Sequence, residues 1–328
     1  MKNNKNTKNM LMWGIVLALV LCLPHIIRND YWMVVFVRVL INIVLVLGLN
    51  LITGLIGQMN LGSAGIYALG AYSSALFVKN TGLSPWLGLL VAVATGIVIG
   101  LVLGYPSLRL KGVYFSLTTI GFTQVVQIFL NNMTKVTGGS QGLKSISPYS
   151  LFGFIFDSYV KSYYLYVVFV LIAIFCAVRI VNSKWGRLYR SLRDNSDAVE
   201  MSGINIADVK VKAFIAAAIF GTVAGAMYAH FYGYISPSTY TVDISMNFVL
   251  MLLVGGIGSV SGAMFGAVIV TILPELLRGL GNYYLITFYI IIFLGILFFP
   301  NGWVDAAVGP VKKLIAKKKK EERAGGEK

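Results

Sequence analysis

Apolar runs of about 17 to 25 residues recur along this chain with almost nothing ionisable inside them, and that repetition dictates its fold class. Each run, wound as a helix at about 1.5 Å per residue, can cross the ~30 Å hydrocarbon core of a bilayer. Spans are expected at 11–27, 33–56, 63–78, 86–104, 114–132, 163–181, 212–233, 247–273 and 284–299. In lipid every backbone N–H and C=O must be paired internally, so the expected fold is all-α, a polytopic transmembrane helix bundle of about 8–10 spans with glycine-broken helices. Composition agrees. Of the 328 residues 57% are hydrophobic and only 12% are charged, too few charges to coat a soluble enzyme of this size. The abundance of Leu, Ile, Val and Phe excludes a disordered chain. Lys2, Lys5 and Lys8 precede the first span as they would in a signal peptide, but Arg28-Asn29-Asp30 follows it in place of a small-residue cleavage site, so a retained helix is expected.

Charge sets the orientation. Of the 27 lysines and arginines, 20 fall in four segments: the N-terminus, 105–112, 179–212 and the tail from Lys312 to Lys328. The positive-inside rule places all four in the cytoplasm. The expected layout is a cytoplasmic N-terminus at 1–10, a transmembrane domain at 11–303 with a cytoplasmic loop at 182–211, and a basic cytoplasmic tail at 304–328. The net charge of +15 then reads as topology and attraction to anionic lipid heads. Its division among membrane-flanking loops argues against nucleic acid as a partner. Nine crossings would leave the lysine-rich tail outside. The run 247–273 is too long for one plain helix and carries Gly255-Gly256-Ile257-Gly258-Ser259 in its middle. Splitting it gives ten crossings and returns the tail to the inside.

A second interrupted stretch lies in the first half, with Gly54, Gly57, Gly62, Gly65 and Gly70 among Asn50, Gln58 and Asn60. Broken segments in both halves point to a translocation path. The residues expected to line it are Asn50, Gly57, Gln58, Asn60, Gly62, Gly256 and Gly258. The amides have two readings: they meet a zwitterionic solute, or they only cap the broken helix. Rows of small residues at four-residue spacing (Gly96, Gly100, Gly104; Gly221, Gly225; Gly262, Gly266) predict close helix crossings. Arg38 is the one basic residue well inside an early span, and it either snorkels or faces the bundle. Glu275 lies three residues before Arg278, which predicts a local ion pair. Cys22 and Cys176 sit in apolar runs and read as buried small hydrophobes. Neither they nor His25 and His230 make a metal spacing, and the chain has no phosphate-binding loop of the Gly-x4-Gly-Lys-Ser/Thr type. No catalytic residue, metal or cofactor is therefore expected. If the chain pumps, another subunit supplies the energy.

The loop 182–211 carries the most specific pattern. Arg187, Arg190, Arg193 and Asp194 lead into Asp197-Ala198-Val199-Glu200-Met201-Ser202-Gly203-Ile204-Asn205. Asp197 with Glu200 resembles a capping box with Asp197 as N-cap, and Gly203 reads as a C-terminal stop. Asn205 with Asp208 can start the next helix. A helix of five or six residues is marginal in water and needs a partner to pack against.

Asp197-Ala198-Val199 followed by Gly203 resembles the cytoplasmic EAA-type loop of ABC importer permeases. Four stretches extend the likeness: Gly48-Leu49-Asn50-Leu51 through Gly57-Gln58-Met59-Asn60-Leu61-Gly62 to Gly70-Ala71-Tyr72; Leu108-Arg109-Leu110-Lys111-Gly112-Val113-Tyr114-Phe115 with Thr137-Gly138-Gly139; Gly186-Arg187 through Gly203-Ile204-Asn205; and Gly255-Gly256-Ile257-Gly258-Ser259 with Gly262, Gly266 and Leu273-Pro274-Glu275. Together they resemble the branched-chain amino acid permease family, LivM type, over roughly residues 35 to 303. Asp197 departs from the Glu of the general importer loop. The resemblance implies a subunit in the bacterial plasma membrane that pairs with a second homologous permease, two ABC ATPase subunits and an extracytoplasmic solute-binding protein. Implied solutes are leucine, isoleucine and valine, with urea and short amides in related systems. On that footing Arg187, Arg190, Arg193, Asp194, Asp197, Ala198, Glu200, Gly203 and Ile204 are expected to couple the chain to an ATPase. The segment 133–162 is expected at the outer face. The competing class is a self-contained secondary transporter of a small solute.

Overall fold

A computed structural model of the chain describes residues 20–25, 29–110, 112–151, 154–299 and 302–303. Residues 1–19, where the first expected span begins, and the tail 304–328 lie outside the described residues. Seven helical stretches among the described residues are long and apolar enough to cross a bilayer, and the molecule is an all-α bundle.

The hub is α1, Asp30–Leu49, started by the Asn29 side chain accepting from the Tyr31 N–H and buried along nearly its whole apolar length. Around it stand α2 (Ser63–Thr81), α3 (Pro85–Gly104), α4 (Val113–Asn132) and α5 (Tyr159–Asn182). Two short helices, α6 (Lys184–Asp194) and α7 (Ser196–Met201), then lead into the long α8 (Ile206–Tyr232). The chain closes with α9 (Val242–Gly255), α10 (Val260–Leu277) and α11 (Tyr284–Phe298). α1 packs on α5, α8, α9 and α10, while α8 lies along α2 and α3.

Lipid tails are as apolar as Leu, so burial alone does not drive these helices together and close van der Waals contact must. The glycine rows supply it. A Cβ on Gly100 would collide with the Ile215 backbone, one on Gly225 with the Tyr67 carbonyl, and one on Gly266 with the Met251 carbonyl. Cys22 and Cys176, expected to be buried, are instead exposed. In a membrane protein the outward face of a helix is itself apolar, so hydrophobicity does not separate core from surface.

The run 247–273 is divided as its glycines require. α9 stops at Gly255, Gly256 and Gly258 take positive φ (103° and 87°), and the Ser259 hydroxyl accepts from the Gly262 N–H to start α10. α1 breaks differently. It widens into a π-helix over Asn50–Ile56 and ends at Gly57, φ 80°. The chain then runs without helix to Ser63. The two breaks lie at the same end of the bundle as α6, because Arg193 reaches Gly54 and the Gly258 N–H meets Asn50. Gly302 comes back against Gly256, so the end of the last span lies there as well. At the opposite end, Leu143–Lys144 pairs antiparallel with Tyr234–Ile235. His230 is held there between Ser74 (2.9 Å) and the Ser147 carbonyl (2.7 Å), a structural clamp.

Candidate coupling and translocation site

The sequence pattern in 182–211 hides a helix. α6 begins where the Ser183 hydroxyl accepts from the Trp185 and Gly186 N–H groups (3.1 and 3.4 Å). Gly186, Tyr189 and Leu192 form its buried stripe, at three-residue spacing. Burial, and then Asp208 nearby, pushes the Tyr189 phenol up to about 12. α7 follows at once, and its N-cap is Asn195 rather than Asp197. The Asn195 carboxamide accepts from the Asp197 and Ala198 N–H groups, both at 3.1 Å. Asp197 therefore stands inside the first turn, where a carboxylate still suits the helix dipole. Gly203 follows the last turn at φ 76°, and a Cβ there would meet nothing within 4 Å, so the requirement is on the backbone and not on space. Asn205 caps α8 through Ala207 and Asp208.

α7 touches the rest of the molecule mainly through Val199. Asp197, Ala198, Glu200 and Gly203 are exposed, Ile204 is half-buried, and Met201 is 89% exposed. Arg187 and Asp194 are exposed on α6. Two arginines expected to face a partner are exposed, yet each guanidinium reaches back to a backbone carbonyl of the bundle. Arg190 Nη2 donates to the Val181 carbonyl at 3.1 Å, pinning α6 to the end of α5. Arg193 Nη1 donates to the Gly54 carbonyl at 2.8 Å, inside the π-helical turn. A Cβ on Gly57 would come 2.9 Å from Arg193 Cγ, and one on Gly258 would lie 3.7 Å from Arg193 Nη1. Asn50 completes the link, its Oδ1 accepting from the Gly258 N–H at 2.8 Å. One side chain of the short-helix unit therefore grips the first broken helix, and one amide of that helix grips the second.

The remaining expected path residues divide. Asn60 is buried and local: its Oδ1 accepts from the Gly62 N–H (2.8 Å) and its N–H donates to Thr53 Oγ1 (3.3 Å). A Cβ on Gly62 would meet the Thr119 carbonyl at 3.0 Å. Gln58 donates through Nε2 to the Ser107 carbonyl (3.3 Å), and its buried Oε1 has no partner among the described residues. Gln58 lines a cavity of about 390 Å³ with Leu192, Asp197, Glu200 and Lys210, at the α6–α7 end. Gly256 and Gly258 present only backbone, in the second break.

A larger cavity of about 570 Å³ escaped the sequence reading. It lies between α1, α9, α10 and α11, and both Arg38 and Glu275 line it. The expected local pair of Glu275 with Arg278 is present at 3.5 Å, but Arg38 also reaches Glu275 at 3.3 Å. Tyr31 hydrogen-bonds Glu275, and Arg278 donates to the Tyr31 hydroxyl at 2.7 Å. Arg38 thus faces the bundle and does not snorkel. Its isolation in an apolar span was the available signal; its partner, 237 positions away, was not visible from spacing. No group of His, Cys, Asp and Glu suited to a metal ion occurs among the described residues.

A family model described as the permease component of branched-chain amino acid transport systems matches residues 32–300. The high-affinity branched-chain amino acid transport system permease protein LivM of Salmonella typhimurium is 31% identical over 286 residues, covering 80% of this chain and 67% of its own length. Its Escherichia coli counterpart is 30% identical over the same shares. The permease protein LivH of Salmonella typhimurium is 26% identical over 249 residues, 70% of this chain and 79% of its own. No solved structure matches. The matched region takes in both broken helices, the exposed short-helix unit and the paired cavity, and the chain belongs to the family of branched-chain amino acid transport permease components.

Proposed function

We propose that this chain is the membrane-spanning permease subunit of an ABC importer in the bacterial plasma membrane, moving branched-chain amino acids or a similar small polar solute. It is not itself the ATPase. Its partners are ABC ATPase subunits, a second homologous permease and an extracytoplasmic solute-binding protein, with membrane lipids around it. The short-helix end and both termini face the cytoplasm, the side to which their basic residues assign them.

The observation that carries the mechanism is the continuous link from α6 through Arg193 to Gly54, and through Asn50 to Gly258. α7 supplies an exposed, capped surface for a groove on the ATPase. Closure of the ATPases displaces α6–α7 as a unit. Arg193 transmits that displacement to the π-helical turn, and Asn50 transmits it to the start of α10. Coupling requires an element with two arrangements that both sites bias, and on this reading the paired helix breaks, joined by single hydrogen bonds, are that element.

The test is extraction of the tagged chain from its native membrane in mild detergent. The reading expects an ATPase and a second permease-like chain in stoichiometric amount. A chain that purifies alone, and transports when reconstituted alone, would replace it with a secondary transporter.

A further inference from the structure

We infer that the 570 Å³ cavity remote from the coupling helix binds an aliphatic amino acid, with Arg38 receiving its carboxylate. The solute class rests on the importer reading above; the placing of the carboxylate rests on the cavity itself.

Three charged side chains line the cavity: Arg38, Arg278 and Glu275. Two guanidinium groups share one carboxylate, which leaves the cavity one positive charge in excess. Arg278 is 67% exposed and Arg38 partly so, and the excess positive charge attracts an incoming carboxylate. Arg38 is held ready for it. Its Nε donates to the Tyr232 hydroxyl (3.2 Å) and its Nη1 to Glu275 (3.3 Å), while Nη2 has no hydrogen bond among the described residues. The side chain stays 44% exposed although its neighbours Val37 and Val39 are buried. Guanidinium meeting carboxylate is a charge-assisted contact with fixed geometry, so this group selects the head of the solute. Asn247 and Glu275 also line the cavity and supply acceptor oxygens for an ammonium. Ile244, Phe248, Met251, Val270 and Phe288 add apolar lining suited to a branched side chain. The volume falls within the roughly 300–1,000 Å³ of ordinary small-ligand sites.

The experiment uses the intact complex from native membranes and a photoreactive diazirine analogue of leucine. Label is expected on peptides from α9 or α11. Isovalerate, which keeps the carboxylate and lacks the amine, should compete; isoamylamine, which keeps only the amine, should not. Arg38→Gln should lower labelling roughly tenfold, and Arg38→Lys should keep part of it. Ile244→Trp, which crowds the cavity from an apolar lining position and leaves the ion pair alone, should also abolish it. Label on this chain only outside the cavity, label on this chain that survives Ile244→Trp, or equal competition by the amine for that label would overturn the assignment. Leucine uptake by the same preparation separates the two claims. Uptake without label at this cavity overturns the site and leaves the importer. Label as expected without uptake overturns the importer and leaves the site.

Discussion

The two helix breaks are made of similar glycines and held in different ways. In the first, side chains satisfy the freed backbone: Asn60 takes the Gly62 N–H, and Thr53 accepts from the Asn60 N–H while donating to the Gln58 carbonyl. In the second, Ser259 is the one local side-chain cap among the described residues, and the glycines let backbone meet backbone, so that a Cβ on Gly255 would collide with the Gly262 carbonyl. The first break is a polar knot and the second a close-packed crossing. Asn50 belongs to the knot and reaches across to Gly258, so the second break depends on the first for one hydrogen bond. In the proposed coupling, that dependence carries movement at α6 to both.

Substitutions can break this contrast in graded fashion. Gly266→Leu forces a side chain into the Met251 carbonyl with no flexible atom to yield, and should cost about 3 kcal/mol or more. Size-exclusion profiles and thermal melting in detergent should show the loss. Asn50→Leu strips the Gly258 N–H of its acceptor and should cost about 1–3 kcal/mol, with a lower midpoint in the same melt. Asn60→Ala and Ser259→Ala each delete one local cap, about 1 kcal/mol apiece. If Ser259→Ala proved costlier than Asn50→Leu, the order of dependence drawn here would be reversed. Gln58→Met gives up the Nε2 bond to the Ser107 carbonyl but also removes a buried amide oxygen with no partner among the described residues, so stability should change by less than about 1 kcal/mol. A fall in uptake at unchanged stability would then place Gln58 on the path, and unchanged uptake would leave it a spectator.

Much of this was legible in the chain. Long apolar runs require membrane helices, and a Gly-Gly-Ile-Gly stretch within a run too long for one helix required a break. The spacing of Asp197, Glu200 and Gly203 revealed a short helix, but its first residues were misassigned, because Asn195 and Asp197 are both good caps and only the observed backbone decides between them. α6 went unread because a stripe of Gly186, Tyr189 and Leu192 among four basic residues looks like a solvated loop. Which arginines reach back to the bundle was also hidden. Arg193 is separated from Gly54, and Arg38 from Glu275, by more than a hundred positions, and one sequence carries no signal for such pairs.

The link through Arg193 is the central claim, and one ratio tests it most directly: solute moved per ATP hydrolysed by the reconstituted complex, wild type against Arg193→Glu, with Arg193→Lys as the conservative control. Reversal of charge at the Gly54 carbonyl should leave hydrolysis running and lower the ratio by roughly tenfold, with the lysine variant between the two. A ratio in Arg193→Glu equal to that of the wild type would contradict the account.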